Sequence, residues 1–64
     1  MTIVVQNNET GAYGDFLQRA VWRKKFVLRV RVQGHVRHWL PESCTVTVNH
    51  VPFAGKNFYD NWKA

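Results

Sequence analysis

The chain has 64 residues, 45% hydrophobic and 14% aromatic, with nine Lys and Arg against four Asp and Glu, for a formal charge of +5. That length allows one domain, residues 1–64, whose folding buries only about 60% of the surface the unfolded chain exposes. The aromatic and β-branched content excludes wholesale disorder. The four scattered acids exclude a two-metal carboxylate centre, and a lone Cys44 excludes an internal disulfide.

Residues 2–6, TIVVQ, are β-branched and apolar and predict a first strand. The Asn- and Gly-rich stretch 7–14 predicts a loop, and Asp15 stands where a helix N-cap belongs. In FLQRAVWRKK, residues 16–25, Phe16, Leu17, Ala20, Val21 and Lys24 follow helical spacing, which predicts a helix of about two and a half turns. Arg23, Lys24 and Lys25 then fall in its last turn, where cations complement the helix dipole. FVLRVRVQ alternates, with Phe26, Leu28, Val30 and Val32 on one face and Val27, Arg29, Arg31 and Gln33 on the other. Gln33-Gly34 predicts a turn and HVRHWL a returning strand, ended by Pro41. CTVTVNHV is a further alternating run, in which Cys44 reads as a small buried hydrophobe, and the tail 52–64 predicts an irregular or helical closing segment. The sum is a small α+β domain ordered β-α-β-β-β plus a tail, with an antiparallel sheet of three to four strands and one helix packed on it.

No apolar run approaches the roughly 20 residues needed to cross a bilayer. The start, MTIVVQNNETG, lacks the basic region of a signal peptide. The expectation is a cytoplasmic protein, of a cell or of an infected host. Its size and charge suit a phage or plasmid gene.

The charge is concentrated. Between Asp15 and Glu42 lie Arg19, Arg23, Lys24, Lys25, Arg29, Arg31 and Arg37, with His35 and His38 and no acid. Such a field calls for an anionic partner. Arg29 and Arg31 repeat on one face of a strand about 7 Å apart, suited to successive phosphates of a nucleic-acid strand. Trp22 and Trp39 flank the charges and are suited to stacking on unpaired bases.

The leading expectation is a non-catalytic module that binds RNA or single-stranded DNA through Arg23, Lys25, Arg29, Arg31 and Arg37, with Trp22 and Trp39 stacking. The alternative partner is an acidic protein surface, which makes the chain an inhibitor or adaptor of a larger enzyme. Nine aromatics on a small core also favour a homodimer.

No phosphate loop, dinucleotide fingerprint, serine triad or carboxylate pair occurs, and no cofactor is implied. His35, His38 and His50 could meet if the strands that carry them pair, but His35 and His38 point to opposite faces of one strand and give no metal site. His35 or His50 could act as a base on a ribose hydroxyl, with Arg29, Arg31 or Arg37 stabilising the phosphorane. Over residues 16–50, the order of a helix, the FVL strand, Gly34-His35 and TVTVNH faintly resembles the HicA-type toxins. Those are small ribonucleases with a double-stranded-RNA-binding-like fold. The resemblance implies ribonuclease activity with His35 as the matching catalytic histidine. The chain departs from the family in lacking a GSHH motif, in having Asn49 where Pro is expected, and in its extra N-terminal strand.

Overall fold

A computed structural model of the protein describes residues 3–61. The elements run β1 (Ile3–Asn7), β2 (Tyr13–Trp22), β3 (Lys25–Val32), β4 (His35–Trp39), a 3-10 turn (Pro41–Ser43), β5 (Cys44–Val48), β6 (Val51–Ala54) and α1 (Gly55–Asn61). The strands form a six-stranded sheet in the order β4-β3-β2-β1-β5-β6, with every neighbouring pair antiparallel. The α+β class stands, with a larger sheet than the three to four strands expected. Residue 2 of the expected first strand and residues 62–64 of the tail lie outside the described residues.

The helix expected over 16–25 is strand β2, and Asp15 is a strand residue facing Arg31 across the β2–β3 ladder. The cause is a register shift between Phe16 and Gln18. An extra residue in one strand of a ladder breaks the period of two. Phe16, Leu17, Ala20 and Val21 therefore imitate the i, i+4 repeat of a helix while lying in a sheet.

Three hairpins turn on two residues each, and all six of those residues have positive φ: Arg23 and Lys24, Gln33 and Gly34, Asn49 and His50. Two positive φ values in a two-residue loop match the right-handed twist of the flanking strands. Gln33-Gly34 turns the chain as its sequence indicates. The run CTVTVNHV divides at Asn49-His50 into β5 and the start of β6. β6 holds Pro52 at the sheet edge, where a missing N–H costs least.

One face of the sheet carries the core. Val5, Leu28, Val30, Cys44 and Val46 are buried there with Phe58 of α1, flanked by Ile3, Phe16, Val32, Trp39, Val48 and Tyr59. The Phe58 and Phe16 rings meet edge to face at 5.0 Å. Arg19 ties the helix end to β2. Its Nη1 donates to the Tyr59 carbonyl at 2.8 Å, and its guanidinium lies 5.4 Å from the Tyr59 ring centre. This side chain thus satisfies one of the carbonyls that a helix end leaves unpaired.

Gly55 starts α1 in a buried position where a Cβ would run into the Pro41 carbonyl oxygen. We expect Gly55→Ala to destabilise the fold by about 1–3 kcal/mol, since backbone must move to admit the methyl. For a domain of this size that is a fall in Tm of at least about 4 °C, measurable by thermal unfolding. Burial first, and then the charge of Glu9, push the Cys44 thiol from its ordinary 9.0 up to about 11. The folded state then holds the thiol proton through a pH range where the unfolded chain releases it, so this contribution to stability is full below pH 9 and falls as pH rises toward 11. Cys44 should resist alkylation at pH 8 in the native protein and react once denaturant is added, as mass spectrometry would record.

Candidate functional site

The face of the sheet opposite α1 has no second layer among the described residues. Register assigns to it Tyr13, Asp15, Gln18, Ala20 and Trp22 of β2, Lys25, Val27, Arg29 and Arg31 of β3, and Val36 and His38 of β4. Asp15 is the one acid among all strand residues. Arg29 and Arg31 thus stand on an uncovered surface, two residues apart along β3 and one strand in from the β4 edge, with a predominance of positive charge around them. The Nε of Arg29 is buried without a hydrogen-bond partner. An unpaired buried donor is costly, and the rest of that guanidinium remains available to an acceptor from outside.

Next to the arginines sits a small stack of flat groups. The Trp22 and His38 rings are nearly parallel, 10° apart in plane and 4.9 Å apart in centre, although they belong to β2 and β4. They meet across the intervening strand over Val27, which is only 2% exposed despite lying on the uncovered face. The guanidinium of Arg23, on the β2–β3 turn, lies 4.5 Å from the Trp22 ring centre. Trp22 itself stays 44% exposed. The indole is thus in contact with both a cation and a second ring.

The structure divides the residues singled out from sequence. Trp22, Arg23, Lys25, Arg29 and Arg31 come together at one end of the open face and along β3. Arg37 pairs with Val30 in register and so belongs to the helix side of the sheet. Trp39 pairs with Leu28 and packs against the core, so it does not share a surface with Trp22. Arg19 is occupied with Tyr59. Lys24 shares the turn with Arg23; the helix end that would have accounted for Arg23, Lys24 and Lys25 does not exist. His38 is the participant that sequence reasoning left out. Its odd spacing from His35 only puts the two on opposite faces; the pairing with Arg29 and the β2–β3–β4 order bring it to Trp22.

The histidines do not assemble. β4 and β5 are separated in the sheet by β3, β2 and β1, and among the described residues no three His, Cys, Asp or Glu side chains lie where they could hold a metal ion. His35 lies on the helix side of β4, where Arg37 is the one expected phosphorane-stabilising arginine that shares its face; Arg29 and Arg31 are on the other. The resemblance to the toxins implies a helix ahead of the FVL strand, and that segment is β2. Among the described residues no helix is long and apolar enough to cross a membrane. No protein-family model, curated protein or solved structure matches the chain.

If His38 pins the indole, removing it frees one side of the ring. In a Trp39→Phe, Trp62→Phe background, His38→Ala should increase collisional quenching of Trp22 emission by acrylamide. Unchanged quenching would mean that the stack does not persist in solution.

Proposed function

We propose that this protein binds single-stranded nucleic acid, RNA or DNA, on the uncovered face of its sheet. The observation that carries the reading is the placement of Arg29 and Arg31 on that face beside the Trp22–His38 stack, with Asp15 the one acid among the described strand residues. In this reading Arg29 and Arg31 neutralise successive phosphates, Lys25 neutralises one further along the strand, and all three release counterions, which gives affinity with little sequence preference. The aromatic stack supplies a flat apolar surface for an unpaired base, worth about 1–3 kcal/mol where stacking is complete. Arg23 is the movable part of this arrangement. Its guanidinium covers Trp22 in the free protein and, on the flexible side chain of a turn residue, swings toward a phosphate when a base takes its place.

A sheet presents its side chains on a broad, gently twisted surface, which suits an extended single strand better than a rigid duplex. No catalytic step is required of any residue in this reading, and no cofactor takes part.

The test is a titration of fluorescent oligonucleotides, single- and double-stranded, at several salt concentrations. Wild type should prefer the single strand and lose affinity steeply as salt rises. Arg29→Ala and Arg31→Ala should each weaken binding to all sequences alike and flatten the salt dependence by about one unit of slope. Affinity indifferent to salt, or equal in the wild type and both variants, would refute the reading. Absence of nucleic-acid binding together with capture of an acidic protein, weakened by the same two substitutions, would assign the face to a protein partner instead.

A further inference from the structure

We infer that the groove where β3, the Leu40–Glu42 segment and α1 meet takes one nucleotide of the strand bound on the open face, with its base against Phe26. The inference rests on the nucleic-acid reading above and extends it to a second site on the other side of the sheet end. The groove has a volume of about 320 Å³ and is lined by Lys24, Phe26, Glu42, Lys56, Tyr59 and Asp60, together with Lys25. That is within the range of small-ligand pockets.

Its aromatic wall is set up for stacking. Phe26 is 64% exposed, a large apolar ring left in water at the start of a strand. It leans on Tyr59 at 5.5 Å with a tilt of 49°. Tyr59 is in turn braced by Arg19 and by its own hydroxyl, which donates to the Ala20 carbonyl at 3.5 Å. A firmly backed ring with a free side is what a base needs, because little freedom remains to be lost on stacking.

The groove also continues the open face. A neighbouring hollow of about 270 Å³ is lined by Trp22, Val27 and His38 of that face, and it shares Lys25 and Leu40 with the groove. Arg31 to Lys25 spans about 20 Å along β3, so a strand laid along β3 reaches Lys25 and has the groove before it. Lys24 and Lys56 then serve the phosphates. Glu42 and Asp60 repel phosphate but accept hydrogen bonds from base amino groups. They orient the nucleotide base-inward and favour a base with an exocyclic amino group over uracil or thymine.

The test compares fluorescent oligonucleotides of four and eight residues on wild type, Phe26→Ala, Phe26→Leu, Lys56→Gln and Arg29→Ala. Phe26→Leu keeps an apolar side chain without a π-face and guards against loss of fold. On the eight-residue strand we expect both Phe26 variants to lose roughly 5- to 100-fold in affinity and Lys56→Gln to bind more weakly, with the four-residue strand little affected. Equal affinity of wild type and Phe26→Leu for the longer strand overturns the groove. If Arg29→Ala still weakens both lengths, the open-face reading survives that result. A Phe26 effect of equal size on both lengths, with none from Arg29→Ala, overturns the continuous path and the open-face reading together.

Discussion

The contact of Phe58 with Phe16, edge to face at 5.0 Å, is the interaction on which the remainder of this small fold depends. A single sheet has two faces and no interior, and one of them must be covered to remove apolar surface from water. Here the cover is a helix of seven residues, too short to form by itself. It exists because Phe58 inserts among Val5, Leu28, Val30 and Val46 and because Gly55 lets the backbone close on the Pro41 carbonyl. The loop after β1 is anchored in the same region. The Asn8 N–H donates to the Ser43 carbonyl at 2.8 Å, and Asn7, itself buried, accepts from the Glu9 and Thr10 N–H groups.

Covering one face leaves the other to the charged residues, and this asymmetry organises the basic segment. Seven bases that are contiguous in charge along the chain separate in space into different tasks. Arg19 belongs to the structure, holding the end of α1. Arg29, Arg31 and Lys25 occupy the uncovered face, Arg37 the opposite one, and Arg23 and Lys24 the turn between β2 and β3. The net charge of the segment is therefore a poor guide to the charge of any one surface. The placement of Arg29 and Arg31 carries the functional reading, and Trp22 with His38 gives it a chemical character beyond charge.

Much of this was legible in the chain. The strict alternation of FVLRVRV gave β3 from Phe26 to Val32 and the faces of those seven residues, because a period of two admits no other regular structure; Gln33, which continues the alternation, lies in the turn. Gln33-Gly34 marked its turn, and the β-branched runs marked β1 and β5. The tail's helix was visible only in outline, since α1 is specified by packing more than by its own residues. β2 was misread for a physical reason: its bulge shifts the alternation midway, and the hairpin that follows turns on Arg23-Lys24, which resembles none of the usual Asn-Gly or Asp-Gly signals. With β2 mistaken for a helix, the sheet order was out of reach, and so was the meeting of Trp22 with His38. Trp39 looked equivalent to Trp22 in sequence. Only the pairing of β3 with β4 separates them, sending one to the core and the other to the surface.

The turn between β2 and β3 sets backbone comfort against charge. Left-handed conformations cost side-chain-bearing residues on the order of 1 kcal/mol or more each, and Arg23 and Lys24, with φ of 51° and 64°, both adopt one. Asn-Gly would relax the hairpin and would also remove two cations from the tip of the molecule. Improving this fold and preserving its electrostatic field are thus opposing demands at a single pair of residues. A marginal core makes such a conflict consequential, since a domain of this size has few other places from which to recover the difference.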